Sequence, residues 1–237
     1  MTREEERQHH REFSRRLRAW YRRNGRDLPW RKTRDPYRVL VSELMLQQTQ
    51  VSRVIGYYQR FLDRFPTLGD LARARPRQVR EAWQGLGYYA RARNLHRLAR
   101  EVAGPGSVHN ERLPEDPRRL RELPGVGEYT AGAVASFAYE RRAALVDTNV
   151  ARVVRRAFAP QADFKTATGR RTIWDIAARL LPRTGRASWT HNQALMELGA
   201  LVCTARVARC GDCPVRRECV TGRTRHNGRM PLVTGYE

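Results

Sequence analysis

The sequence predicts an all-α fold, and three observations carry that expectation. Apolar residues recur at three- and four-residue steps along most of the chain, strand signals are scarce, and proline and glycine cut the periodic stretches into short units. In residues 51–65, Val51, Val54, Ile55, Tyr58, Leu62 and Phe65 fall on one helical face, as a half-buried helix requires. The same period returns in Tyr88, Ala92, Leu95, Ala99 and Val102, then in Val150, Val153, Val154 and Ala157, and again in Ile173, Ile176, Ala177 and Leu180. Pro36 stands ahead of the first of these helices, Pro66 and Pro76 bracket a brief third, and Gly104-Pro105-Gly106 closes the one that Tyr88 begins. On that helix Arg91, Arg93, Arg97 and Arg100 are expected to cover the outer side.

With 237 residues, 41% of them hydrophobic, the chain can bury a core of its own. The N-terminus is charged from its first residues, with no apolar leader, and no apolar run approaches the length that spans a bilayer. From those two facts the protein is expected in the cytoplasm, at the nucleoid, with no membrane partner. A net charge of +22 is extreme for this length, and all but two of the 46 basic residues are arginine, Lys32 and Lys165 being the exceptions. A GC-rich genome explains arginine in place of lysine but not so large an excess over acids. Arginine grips phosphate bidentately, so a polyanion, most simply nucleic acid, is the expected partner.

Four features carry chemistry. Leu123-Pro124-Gly125-Val126-Gly127 stands between a short amphipathic stretch and a helix over about 128–138. Its glycines permit a tight turn that leaves backbone N–H groups at a helix start, where they hold a phosphate without reading sequence; a plain interhelical loop has the same composition. Asp147, in Leu145-Val146-Asp147-Thr148-Asn149-Val150, directly precedes a helix, a position that suits an N-cap as well as a catalyst. A second carboxylate, Glu43, lies in the apolar run Val39-Leu40-Val41-Ser42-Glu43-Leu44-Met45-Leu46, and apolar neighbours raise a carboxyl's pKa and keep it protonated. The default for any single glutamate on such a helix is an exposed one.

Cys203-x6-Cys210-x2-Cys213-x5-Cys219 contains every cysteine in the chain. In a reducing compartment four closely spaced cysteines point to a metal rather than to disulfides. Their spacing alone leaves structural zinc and a [4Fe–4S] cluster both open. The last feature pairs Gln47-Gln48-Thr49-Gln50 with Gly85-Leu86-Gly87-Tyr88-Tyr89, a polar turn and a glycine-bounded aromatic pair of the kind that enters a base stack. Aromatic pairs at helix starts also serve as core.

Taken in order, these residues resemble the MutY family of adenine DNA glycosylases, within the helix-hairpin-helix superfamily that also contains endonuclease III. The resemblance rests on Leu28-Pro29-Trp30-Arg31, the run from Ser42 to Gln50, Gly85-Leu86-Gly87-Tyr88-Tyr89-Ala90-Arg91, the Leu123–Gly127 turn and the cysteine quartet, and so covers nearly the whole chain. It implies a six-helix barrel over 29–138, an iron–sulfur domain formed by 1–28 together with 139–222, a C-terminal tail over 223–237, and double-stranded DNA with a mismatched or oxidised base pair lying in the groove between the domains. It also implies [4Fe–4S] as the cofactor, held by Cys203, Cys210, Cys213 and Cys219, and a monomer.

Matched residue by residue, Glu43 falls at the family's general acid and Asp147 at the carboxylate that stabilises the oxocarbenium-like sugar, while Tyr129 and Asn149 support the aspartate and the sugar. Gln48 and Tyr88 match residues that enter the duplex, and Gly125, Val126 and Gly127 the hairpin that holds the backbone. Arg26, Trp30, Leu46 and Glu197 fall where the family lines its adenine pocket. Because bifunctional members of the superfamily carry a lysine where Tyr129 stands, the resemblance implies base excision without efficient strand cleavage. Two departures stand out. Thr148 replaces a frequent glycine, and only residues 220–237 follow the last cysteine where typical family members continue into a nudix-like domain that senses 8-oxoguanine. The chain is accordingly expected to lack that domain and to discriminate less between opposite bases.

Two other readings compete. A thymine or uracil glycosylase acting on mismatches with guanine is also short and also carries a tyrosine at the hairpin, although Gln47-Gln48 and Gly87-Tyr88-Tyr89 resemble the adenine branch. A non-catalytic iron–sulfur DNA-binding protein would have no use for both Glu43 and Asp147.

Overall fold

The structure is a computed structural model and describes residues 2–224; the expected C-terminal tail lies outside the described residues beyond Thr224. Among these residues the chain is helical, with no strand and a single bridge pairing Cys203 with Ala208. No helix among them is long and apolar enough to cross a membrane. The chain divides into two compact units. One joins the chain up to Arg26 to the chain from Arg142 onward, and the other is Asp27–Arg141.

The first unit opens with α1 (Arg3–Asn24), whose start is set by a capping box between Thr2 and Glu5 and by Glu4, Glu5 and Glu6 at the positive end of the helix dipole. The second unit holds α2 (Pro36–Leu46), α3 (Val51–Arg64), α4 (Leu68–Arg73), α5 (Pro76–Ala82), α6 (Ala90–Ala103), the single turn α7 (Pro117–Leu120) and α8 (Glu128–Phe137). Proline stands at the first position of α2, α5 and α7, where its missing N–H has no partner to lose. Asp35 caps α2 through the Tyr37 and Arg38 amides, and α3 stops at Phe65 because Pro66 follows. The chain then returns to the first unit with α9 (Thr148–Phe158), α10 (Ala167–Leu180), α11 (Gly185–Leu201) and the short α12 (Val220–Arg223).

In the second unit α2 packs against α3 and α8, while α6 packs against α4 and α5. Leu40, Leu44, Met45, Phe61, Leu71, Trp83, Leu95 and Leu98 are fully buried among them, each contributing about 1.5–3 kcal/mol of burial. In the first unit α9 lies against α10, α11 and α12, and α1 against α11. Its core gathers Phe13, Leu17, Val150, Val154, Ile173 and Leu195, with Phe158 meeting Phe13 edge-on at 4.9 Å.

The brief third helix expected between Pro66 and Pro76 is α4, and Pro76 starts a further one, α5. Periodicity erred in two places. Ile55 is exposed, because the face α3 buries runs through Val54, Tyr58, Phe61 and Leu62. Tyr88 lies outside α6 and is 60% exposed, since its φ of 47° breaks the helical path before Ala90.

Candidate active site and metal centre

Glu43 sits in the last turn of α2, where every residue from Val39 to Met45 is buried, and is itself only 3% exposed. The default of an exposed glutamate fails here because α8 covers this face of α2. Tyr129, the second residue of α8, donates its hydroxyl to Glu43 Oε2 at 2.6 Å. The resemblance had assigned Tyr129 to the aspartate and the sugar, so its bond to Glu43 is a finding of the structure. A buried carboxyl with an O–H donor 2.6 Å away is fixed in direction, which is what a proton donor requires.

The turn ahead of α8 forms as expected. Leu123 and Val126 are buried and Val126 N donates to the Leu123 carbonyl at 3.1 Å, which folds the chain back between α7 and α8. Gly125 has φ 78°, and a Cβ there would stand 2.5 Å from Asn94 Cβ, so only glycine fits. Gly127 is exposed and caps α8 without any side-chain hydrogen bond, leaving the positive end of the helix dipole open to an anion.

Asp147 is both a cap and a candidate catalyst. Its Oδ1 accepts the Val150 amide at 2.7 Å and its Oδ2 accepts the Asn149 side-chain amide at 3.2 Å. Withdrawal from water pushes its carboxyl above the ordinary aspartate range, against the lowering effect of the Val150 and Asn149 bonds and the Arg152 charge. Asn149 Oδ1 in turn accepts Arg152 Nη2 at 2.7 Å, and the same nitrogen donates to the Gly199 carbonyl at 2.7 Å. Gly199 lets α11 come this close to α9, because a Cβ there would stand 2.7 Å from Asn149 Cβ.

The four pocket residues of the resemblance fall in different units. In the first unit Glu197 is fully buried and forks onto Arg26, Oε1 accepting Nε at 2.9 Å and Oε2 accepting Nη2 at 2.8 Å, while the Arg26 amide donates to Oε1 at 2.8 Å. This bidentate geometry holds both side chains in one orientation. In the second unit Trp30 is buried and meets Tyr58 edge-on at 5.6 Å, and Leu46, half-buried, ends α2. Gln48 and Tyr88 are exposed on neighbouring turns of that unit, at φ 54° and 47°. Arg91, expected on the outer side of its helix, is instead buried against both turns, donating to carbonyls of Leu44 and Gly87.

All four cysteines are free, half-buried thiols, and they line one cavity together with Arg156, Val202, Ala208 and Gly222. Burial pushes the Cys213 thiol up to about 12 and the Cys219 thiol up to about 11. Gly222 N donates to Cys219 Sγ at 3.2 Å, and Arg156, buried on α9, donates to Cys203 Sγ at 3.3 Å and to the Thr204 carbonyl at 2.8 Å. Arg152 Nε donates to the Cys203 carbonyl at 2.8 Å. One helix therefore touches Asn149 through Arg152 and the cysteine loop through Arg152 and Arg156. Sequence reasoning missed both arginines. Their signal was there, a pair four residues apart on a helix whose neighbouring positions are apolar.

Comparison with known proteins agrees with this architecture. Residues 41–178 match the family model of the HhH-GPD superfamily base excision DNA repair proteins. The chain is 43% identical over 231 residues to the adenine DNA glycosylase of Rattus norvegicus, covering 94% of this chain and 44% of that protein. It is 48% identical over 200 residues to that of Mycobacterium tuberculosis, covering 84% of this chain and 64% of the relative. The chain thus spans about half to two thirds of the length of these curated relatives. Among solved structures, a thermostable thymine-DNA glycosylase superposes with a TM-score of 0.81 at 28% identity, covering 91% of this chain and 97% of the other. A trapped endonuclease III–DNA covalent intermediate does so at 0.74 and 23%, covering 94% and 98%, a likeness of fold alone. The all-α, helix-hairpin-helix glycosylase fold expected from the sequence is borne out, and the chain belongs to the HhH-GPD superfamily of base excision DNA repair proteins.

Proposed function

We propose that the chain is a monofunctional adenine DNA glycosylase that releases adenine mispaired with guanine or 8-oxoguanine. The observation that carries this reading is a buried acid, Glu43, directed by the Tyr129 hydroxyl, and an aspartate, Asp147, held by amide donors, in a chain 43% and 48% identical to two adenine DNA glycosylases. Glu43 gives its proton to N7 of the extruded adenine. The C1′–N9 bond then breaks with its electron pair going to the base, which departs neutral. Asp147 faces the cationic sugar as an anion, or bonds to it transiently, until water adds at C1′ and the proton returns to a carboxylate. Strand cleavage through a Schiff base needs an amine at the site, and Tyr129 offers a hydroxyl instead; Lys32 is paired with Asp27 at 2.6 Å.

Double-stranded DNA is the partner this reading requires. The open helix start at Gly127 suits a backbone phosphate, and Gln48 and Tyr88 stand exposed as the side chains that enter the stack. Residues Arg26, Trp30, Leu46 and Glu197 are assigned to the adenine pocket. The protein is expected to act as a monomer at the nucleoid.

The cysteines suit a [4Fe–4S] cluster. The four thiols line one cavity. Four cysteine thiolates can hold either a zinc ion or an iron–sulfur cluster, and the resemblance to the glycosylase family favours the cluster. The Arg156 guanidinium and the Gly222 amide supply hydrogen bonds that such sulfurs accept. A bound cluster would contribute folding free energy to residues 203–219 rather than chemistry at the sugar.

Single-turnover excision from A·8-oxoguanine, A·G, T·G and U·G duplexes at one salt concentration tests the assignment. Adenine should leave the first two, giving an abasic site that breaks only after alkali treatment. The likeness to a thymine-DNA glycosylase favours the second reading, and fast thymine or uracil release with adenine untouched would establish it.

A further inference from the structure

Gln48 and Tyr88 share a backbone conformation that side chains rarely adopt, with φ of 54° and 47°, and both are exposed. A strained residue on a surface turn keeps such a conformation only when something beneath it holds the turn in place. What lies beneath both turns is Arg91, 8% exposed. Its Nη1 donates to the carbonyls of Leu44 at 2.7 Å, Met45 at 3.0 Å and Gln47. Its Nη2 donates to the carbonyls of Leu86 at 3.3 Å and Gly87 at 3.2 Å and to Thr49 Oγ1 at 3.4 Å. The Tyr88 ring lies 5.3 Å and the Trp83 ring 5.6 Å from the guanidinium carbon.

A buried cation is ordinarily matched by a carboxylate. Here the acceptors are carbonyls and one hydroxyl. Leu44 and Met45 carry carbonyls of the last turn of α2, which have no partner within the helix and lie at the negative end of its dipole. Gln47, Leu86 and Gly87 add carbonyls from the turns on which Gln48 and Tyr88 stand. We infer that Arg91 is a positioning residue that clamps these two turns to each other, so that Gln48 and Tyr88 form one pre-set wedge for entering a duplex. Only a planar fork with donors on two nitrogens meets both turns at once, and a lysine ammonium is a single point with three donors. The identity of what the wedge enters rests on the glycosylase reading, but the clamp rests on the hydrogen bonds alone.

The test uses purified, iron-loaded protein with Arg91→Lys and Arg91→Met. Duplexes carry 2-aminopurine or adenine opposite 8-oxoguanine, and a second set carries the adenine unpaired in a single-base bulge. The fluorescence rise of 2-aminopurine reads extrusion separately from base release. For Arg91→Lys, thermal unfolding and duplex binding should stay close to wild type, within about threefold for binding, since the phosphate contacts are elsewhere. Extrusion and single-turnover adenine release from the paired duplex should both fall about tenfold or more, because a displaced wedge misplaces the base. Release from the bulged duplex, where no pair has to be opened, should recover most of that loss. Wild-type extrusion by Arg91→Lys would overturn the inference, as would an equal loss on paired and bulged duplexes. Should Arg91→Met fail to fold, the lysine variant decides alone. A wild-type protein that extrudes 2-aminopurine but releases no base would sink the glycosylase reading and leave the clamp standing.

Discussion

Glu43 and Asp147 are both carboxylates set against protein, yet what surrounds them differs. Glu43 lies inside α2 among apolar neighbours and accepts a tyrosine hydroxyl. Asp147 stands at the start of α9, where the Val150 amide, the Asn149 amide and the Arg152 guanidinium behind it all favour negative charge. On the proposed function the difference separates an acid from an anion made from the same functional group: apolar burial beside a tyrosine hydroxyl suits a proton donor, and the donors around Asp147 counter the burial that otherwise raises its carboxyl.

The comparison predicts unequal sensitivity to loss of support. Asp147 depends on a relay, Asn149 to Arg152 to the Cys203 and Gly199 carbonyls. Arg152→Met should therefore slow adenine release by about a hundredfold, because the carboxylate proposed to face the sugar would lose its alignment. Tyr129→Phe removes one hydrogen bond from Glu43 and should cost about tenfold, the worth of one such bond to a charged or polar partner. A larger loss from Tyr129→Phe than from Arg152→Met in single-turnover assays would reverse the ranking of the two supports. Gly199→Ala should destabilise the fold by about 1–3 kcal/mol in chemical denaturation, because its Cβ would be forced against Asn149; an unchanged unfolding midpoint would mean that α9 and α11 are not held at this spacing.

The smallest effect concerns pH. The Asp147 carboxyl is raised in the folded state, so as pH climbs through the ordinary aspartate range the unfolded chain releases its proton first and the fold loses stability. Asparagine at this position keeps the cap and cannot ionise. Thermal unfolding of Asp147→Asn should then occur above wild type at neutral pH, with the gain vanishing as pH falls below about 3 to 4. A variant less stable than wild type at neutral pH would show that the ionised carboxylate helps rather than strains the fold.

Much of this was legible in the sequence, for identifiable reasons. Buried helical faces leave a period of three and four residues, and four cysteines within seventeen positions leave few alternatives to a metal. Asp147 and Gly125 were legible because caps and tight turns restrict residue type at one position. What stayed hidden were contacts that join distant residues or reverse a residue's habit. Nothing near Glu43 announces Tyr129, 86 positions away. Tyr88 satisfied the helical period with Ala92 and Leu95, and only its backbone angle takes it out of the core. Arg91 was misplaced because arginine is ordinarily solvated, and its reason for burial, a set of unpaired carbonyls at a helix end, exists only after α2 has folded.

On the proposed function, Glu43 and Asp147 perform base release while the hairpin and the arginines bind DNA. Single-turnover adenine release and equilibrium binding, measured side by side for wild type, Glu43→Gln and Asp147→Asn on one A·8-oxoguanine duplex, address it most directly. Each variant should lose roughly 10²–10⁴-fold in release, the usual worth of a positioned proton donor or charge stabiliser, while binding changes by less than about threefold. Wild-type release by either variant would contradict the role given to that carboxylate.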